Sequence, residues 1–446
     1  MDDMKNKMGT MPVPKLLITM ALPMMASMLI QALYNIVDSM FVARISEDAL
    51  TAVSLAFPVQ QFLISVAVGT GIGVNACLSR ALGEKKQDKV DMLANHAVVL
   101  VLITTLVSAV LGLLLSRPFM RLQTDNQEIM DMGTSYLTII STISIGMYGA
   151  VIGERLLQGV GLSFETMISQ GLGAITNIIL DPVFIFLFDM GVAGAAIATV
   201  LGQITSLIIV IVLNKRKNHF IHIDLRGFRM HGSCVKMIYT IAIPSSLMMA
   251  LTGIMTCLMN MILISFSTTA TAIMGVYLKL QSFFMMPLFG TCNALLPIVS
   301  YNLGAAKKDR MYQAIHLAMV IATIFMSLGM IVFWLIPGKL LSMFNASPDM
   351  IRMGIPAMRS ISLNFIFAGI AICCSNVFQA TGKPRYSLLI SLIRQIIILL
   401  PAAYLLSLTG NVDNVWIAFP IAEALGFILS VIMYRRCMRN IEFHEI

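Results

Sequence analysis

"SRALGEKKQDK", residues 79–89, returns 221 residues later as "SYNLGAAKKDR", residues 300–310, with Leu82-Gly83 aligned on Leu303-Gly304. Each copy follows a long apolar run and carries basic residues of its own. Other pairs fall into register at the same offset. "ALP" at 21–23 meets "AIP" at 242–244, Met132-Gly133 meets Met353-Gly354, and "QGVG" at 158–161 meets "QATG" at 379–382. Near the end the shift drops to 220, where Ile197-Ala198 meets Ile417-Ala418. One nearly constant offset over so long a stretch identifies a duplication, and the repeated unit decides the fold.

The unit is a set of membrane spans. Of the 446 residues, 58% are hydrophobic and only 12% charged, too little charge to cover a soluble surface of this size. Apolar stretches of about twenty residues recur from end to end, which reads as a polytopic helical membrane protein. Twelve spans are predicted, near 15–43, 52–80, 91–115, 130–157, 165–188, 191–213, 236–265, 270–302, 311–335, 351–378, 386–408 and 414–435. With both termini on one side, that side's connectors (80–89, 155, 215–236, 307–310, 383–385) and the tails hold 22 of the 30 Lys and Arg. The positive-inside rule then puts both termini in the cytoplasm, the chain being a multi-pass protein of the cell membrane. The polar leader "MDDMKNKMGTMPVPK" is expected to stay in the cytosol rather than act as a cleaved signal. The net charge of +8 thus reflects insertion and implies no nucleic acid partner. The seven cysteines show no CxxC and read as reduced packing residues.

Six spans per half is an even number, so both halves have one orientation. The expected fold is all-α, with twelve transmembrane helices in two homologous six-helix bundles related by a pseudo-two-fold axis along the membrane normal. The first lobe is expected over 1–214, a cytoplasmic linker over 215–235 and the second lobe over 236–446. Two such bundles flanking a cleft can rock between inward-open and outward-open states.

Asp38, in "ALYNIVDSMFVARI" (32–45), lies within an apolar span, where an isolated carboxylate costs about 2.5–3.5 kcal/mol. The repeat does not copy it. Asp38 maps onto Met259, Asp181 onto Ala402 and, at 220, Thr199 onto Phe419. Packing would favour residue types shared by both halves, so a polar set present in one half points to a task given to that half. Helical rise places Asp38, Asp181 and Thr199 about 9–12 Å below the outer ends of their spans. Asn177 is one turn deeper on the Asp181 face, Gln31 and Asn35 continue a stripe from Asp38, and Gln203 and Ser206 continue one from Thr199. Pro182 frees the Ile178 carbonyl beside the acids. Two carboxylates, an amide oxygen, a hydroxyl and a freed carbonyl form a hard-oxygen set able to hold Na+ at Asp38, Asn177, Asp181 and Thr199. The same carboxylates, close together, could hold H+ instead. Ligand types leave both open, and no other cofactor is expected.

These segments resemble the multidrug and toxic compound extrusion (MATE) family, most closely its DinF-type bacterial branch. The resemblance rests on "ALPMMASMLIQALYNIVDSMFVARI", "SRALGEKKQDK", "RLLQGVGLS", "TNIILDPVFIF", "QSFFMMPLFG", "SYNLGAAKKDR", "FQATGKPRYS" and "WIAFPIAEALGF", which span nearly the whole chain. It implies a twelve-helix antiporter expelling amphipathic, often cationic, small molecules in exchange for H+ or Na+, and working as a monomer. It also implies that Asp38, Asn177, Asp181 and Thr199 handle the coupling cation and that Pro23 is where the first helix bends. The tenth span has no acid, which argues against a coupling site there.

The second half has buried charges of its own. Arg394 and Glu423 read as an ion pair within that lobe, with substrate contact the alternative, and Lys279 is a candidate for substrate contact. "GTGIGVN" (69–75) looks like a dinucleotide loop but lies inside an apolar helix with no strand before it, so close helix packing is expected. His219 and His222 lack a third metal ligand. No Walker motif, nucleophile elbow or HExxH is present, and an enzyme is not expected. Two other functions fit a polytopic chain: a flippase for a lipid-linked or polar substrate, and a non-transporting scaffold or sensor.

Overall fold

The computed structural model describes residues 6–344, 346–439 and 441, and these are helical almost throughout. Ten helices are each long and apolar enough to cross a membrane: α1 (Val13–Ala43), α2 (Glu47–Gly83), α3 (Gln87–Gln123), α5 (Ser163–Leu187), α6 (Gly191–Lys217), α7 (Gly232–Ile264), α8 (Thr268–Gly304), α9 (Lys308–Leu335), α11 (Pro384–Ser407) and α12 (Val412–Arg439). Two further spans are bent pairs: α4 (Gln127–Thr142 with Ile145–Gly159) and α10 (Pro348–Ser362 with Phe365–Ala380), bent by 44° and 45°. The sequence pattern shows α4 and α10 as single apolar runs, because hydropathy does not register a change of direction.

The duplication is written into the backbone. Helices α2, α3, α4, α5 and α6 begin at 47, 87, 127, 163 and 191; α8 to α12 begin at 268, 308, 348, 384 and 412. The offset is 221 in every pair, including the last, where residue identities favour 220. Ser46 and Ser267 cap α2 and α8, each accepting a backbone N–H three residues on (Ala49, Ala270) at 3.0 Å. Ser79 Oγ donates to Gly159 O at 3.0 Å, and Ser300 Oγ to Ala380 O at 3.0 Å. Gly161 and Gly382 close their turns at φ +92° and +75°, a region open to glycine at no steric cost.

The chain forms two compact units, residues 1–10 with 22–246 and residues 11–21 with 247–446. They part inside α1 and α7, close to Pro23 and Pro244, and not at connectors 214 and 236. The 215–235 connector belongs to the first unit because α3 holds it there: Asp91 Oδ1 accepts from His222 N at 2.9 Å, Asn95 Oδ1 from Asp224 N at 3.0 Å, and His96 Nε2 from His231 N at 2.8 Å.

The second unit is centred on an apolar core of Met255, Met259, Tyr277, Phe333, Phe365 and Trp416. The first unit has an apolar cluster around Val42, Met120, Tyr136, Ile185 and Val200. The glycines of "GTGIGVN" sit inside α2, where a Cβ on Gly73 would come within 2.5 Å of Ile238 O and one on Gly69 within 2.8 Å of Ala242 O. This is close backbone packing against α7 and leaves no room for a phosphate cradle. All seven cysteines are free and all but Cys257 are buried.

Candidate functional site

Within the first unit, α1, α5 and α6 bring four polar side chains together. Asp38 lies five residues before the end of α1, half-buried, and Asp181 one residue before Pro182, fully buried. Their carboxyls lie within hydrogen-bonding reach of each other. Asn177, one turn before Asp181, has its best hydrogen bonding with the amide nitrogen donating to Asp181 Oδ2 at 3.3 Å and the amide oxygen accepting from Thr199 N at 3.1 Å. Asn177 and Thr199 are both buried. Asp38 Oδ1 is buried and finds no hydrogen-bond partner among the described residues. The sequence-predicted set Asp38, Asn177, Asp181 and Thr199 is therefore one cluster in space.

Local structure explains how these groups meet. Pro182 lacks an N–H, and α5 widens immediately after it into a π-helical turn, Val183–Leu187. Earlier in α5, Gly173 meets Gly202 of α6 backbone to backbone: a Cβ on Gly173 would lie 2.9 Å from Gly202 O, and one on Gly202 would lie 2.8 Å from Gly173 O. That approach brings Asn177 against Thr199. Two carboxyls this close repel when both are ionised, so the arrangement is favourable only with a cation or proton shared between them.

Two tyrosines and a glutamine join the site without having been expected. Tyr34, one turn before Asp38, and Tyr136, from the first segment of α4, stand within electrostatic range of both carboxyls. Tyr136 Oη donates to Gln60 Oε1 at 3.3 Å. Tyr34 could have been found from its i−4 spacing to Asp38. Tyr136 and Gln60 come from α4 and α2, and only tertiary structure unites them with α1.

The supporting stripes do not all reach this cluster. Gln31 and Asn35 are exposed, Gln203 is half-buried, and among the described residues no hydrogen bond links any of them to the four. Ser206 serves another centre, around Glu154 of α4. Glu154 Oε1 accepts from Ser169 Oγ and Ser206 Oγ, both at 3.4 Å, and Oε2 from Gln170 Nε2 at 2.7 Å. The sequence reading assigned the neighbouring Arg155 to a cytoplasmic connector. The structure places it otherwise: α4 continues to Gly159, and Arg155 is buried within it, donating to Gln158 Oε1 at 2.9 Å. Helix α1 runs unbroken through Pro23.

In the second unit Arg394 Nη1 donates to Glu423 Oε1 at 2.7 Å, with both side chains largely buried. Arg394 lies on a π-helical stretch, Ile393–Leu399. Lys279 is exposed and has no ion pair among the described residues. No group of three or more His, Cys, Asp or Glu suited to a metal ion occurs among the described residues, so His219 and His222 gain no third ligand.

The MatE family model matches residues 23–183 and 244–405, two segments that also start 221 residues apart. The chain is 23% identical over 423 residues to the multidrug export protein MepA of Staphylococcus aureus (strain MSSA476), covering 95% of this chain and 93% of that protein. It is 25% identical over 431 residues to a FAD transporter of Shewanella oneidensis, covering 95% of each. Among solved structures, an outward-facing multidrug resistance MATE family transporter of the MOP superfamily matches with a TM-score of 0.93 at 24% identity, covering 99% of both chains.

Proposed function

This chain belongs to the MatE family, and on that premise we propose that it is a secondary-active antiporter that exports amphipathic, chiefly cationic, small molecules across the cytoplasmic membrane. Both termini lie in the cytoplasm, and the driving cation is H+ or Na+. The observation that carries this reading is the buried meeting of Asp38 and Asp181, enclosed by Asn177 and Thr199. A carboxyl pair within hydrogen-bonding reach is held together by a shared proton, and this favours H+. The export direction draws on the MepA relative.

In the proposed cycle, the pair takes up its cation from outside. Charge at Asp38 is neutralised, repulsion between α1 and α5 is relieved, and α1 repacks about Pro23. That rearrangement lowers affinity for the exported molecule on the outer side. Return to the inward-open state releases the cation to the cytosol, so the inward gradient drives export. Apart from proton uptake and release at the carboxyls, no covalent bond forms or breaks in this cycle, and the reading is of a transporter without enzymatic chemistry.

The test is dye efflux from vesicles containing the purified chain under an imposed pH or Na+ gradient. A pH gradient is expected to drive efflux, and Asp38→Asn is expected to abolish it while leaving membrane insertion intact. Unchanged transport by Asp38→Asn refutes the coupling role. A second reading, export of a polar metabolite, is favoured by the FAD transporter among the relatives; gradient-driven movement of an anionic dinucleotide and not of cationic dyes would select it.

A further inference from the structure

Helices α3, α4 and α6 of the first unit border a cavity of about 1090 Å³ that the coupling cluster does not use. Most of its wall is apolar, formed by Val101 and Leu102 of α3, Ile152 and Leu156 of α4, and Leu207 and Ile211 of α6. Polarity is confined to one end, where Asn214, Lys215 and Asn218 meet His219 and His222 of the connector. Along α4 the lining runs from Ile145 to Leu156 and along α6 from Leu207 to Asn218, each about 16 Å at 1.5 Å per residue. One leaflet of the hydrocarbon core is about 15 Å thick. The groove has the length of a leaflet and a basic rim where the headgroups would lie.

The rim is built before any ligand arrives. Asn214 Nδ2 donates to Gly153 O at 3.0 Å and to Val210 O at 2.9 Å, and Asn218 Nδ2 donates to Asn214 Oδ1 at 3.0 Å. Gln87 Nε2 donates to Phe220 O at 2.9 Å, holding the connector on α3. The acid at the rim, Asp91, already accepts from His222 N and lies 3.5 Å from His222 Nδ1. Lys215 and His219 are exposed and, among the described residues, make no hydrogen bond or ion pair. An ammonium and an imidazole are thereby left for an anion. A soluble anion would need the rim alone; the apolar length behind it fits a ligand with a hydrocarbon tail.

We infer that this groove is a binding site for one anionic phospholipid of the leaflet facing the 218–231 connector. Its acyl chain lies along α4 and α6, and its phosphate sits on Lys215 and His219. The inference needs only the membrane setting. Its failure would leave the ion-coupling reading untouched, and the reverse also holds.

The test reconstitutes the full chain in phosphatidylcholine vesicles containing a trace of phosphatidylglycerol with a photoreactive acyl chain, followed by peptide mapping. Labelling is expected to concentrate on 98–102, 145–156 and 207–211, with the second unit's helices as internal reference. Unlabelled phosphatidylglycerol is expected to compete, and phosphatidylcholine and inorganic phosphate are not. Lys215→Gln is expected to lower labelling about fivefold, the share of one basic side chain at an anionic surface. Ile211→Trp, at an exposed position that tolerates the larger ring, is expected to displace the lipid by filling the groove. Even labelling around all helices, or equal competition by phosphatidylcholine, marks ordinary surrounding lipid and overturns the inference. Full competition by inorganic phosphate marks a soluble-anion site and overturns it as well.

Discussion

Two regions at equivalent places in the duplicated bundle have opposite chemistry. In the first unit, Asp38 and Asp181 meet beside Asn177 and Thr199. In the second, the equivalent Met259 is wholly buried in the apolar core with Phe419, and Ala402 packs against that core. The helix starts, serine caps and Ser79 and Ser300 bonds are nevertheless shared. What is retained in both copies holds helices in register. What differs does something that packing does not require. The second unit's own charges, Arg394 and Glu423, are paired at 2.7 Å and so neutralise each other. The first unit's carboxyls face like charge.

The comparison can be broken or sharpened by exchanging these features. The largest effect is expected from Asp181→Asn, which removes half of the carboxyl pair but keeps its shape. Gradient-driven efflux should fall to the level of protein-free vesicles while the melting temperature in detergent holds or rises. Retained efflux would mean that the asymmetry is structural. Next, Met259→Asp places a lone acid at the equivalent position, where nothing offsets it. A loss of about 3 kcal/mol in insertion or stability is expected, read as lower yield in the membrane fraction. If the variant instead folds normally, the second unit tolerates charge and the contrast weakens.

Glu423→Ala strands Arg394 and should cost about 2 kcal/mol, below the range for a fully buried pair because both side chains keep some exposure. Thermal unfolding should show this loss, with the ion dependence of transport unchanged. The smallest effect concerns Glu84, which receives Arg80, Lys86 and Lys89 at 3.1–3.3 Å and has Ala305 as its counterpart in the second copy. Burial pushes its carboxyl up, but the hydrogen bonds and charges of Lys86 and Lys89 prevail and hold it below the usual value of 4.5. With a lowered folded value, its contribution is present above the unfolded value and lost as pH falls through the folded one. Glu84→Gln should therefore cost at most about 1 kcal/mol near neutrality. The difference from the parent chain should vanish in acid, and a difference that persists there would assign the effect to packing.

Much of this was legible beforehand. The 221-residue offset is visible in "SRALGEKKQDK" and "SYNLGAAKKDR" and reappears in the helix starts, because residues that cap and close helices are local and survive duplication. Asp38 and Asp181 stood out because acids in apolar spans are costly, and Asn177 because it lies one turn away on the same helix. Tyr136 and Gln60 were not legible, since no spacing along the chain links α2 and α4 to α1. Glu154 was missed although it lies inside the predicted span 130–157, because its partners Ser169, Gln170 and Ser206 come from α5 and α6.

The amino-acid sequence by itself determined the membrane class, the doubling and the one-sided placement of the acids, because each is a matter of composition or periodicity along the chain. Only tertiary structure decided that two carboxyls from α1 and α5 face each other, that Ser206 serves Glu154 and not Thr199's cluster, and that the compact units part inside α1 and α7. Those outcomes depend on how helices approach one another. In a membrane that approach is set by small residues such as Gly173 and Gly202 and by side-chain hydrogen bonds, which no apolar pattern encodes.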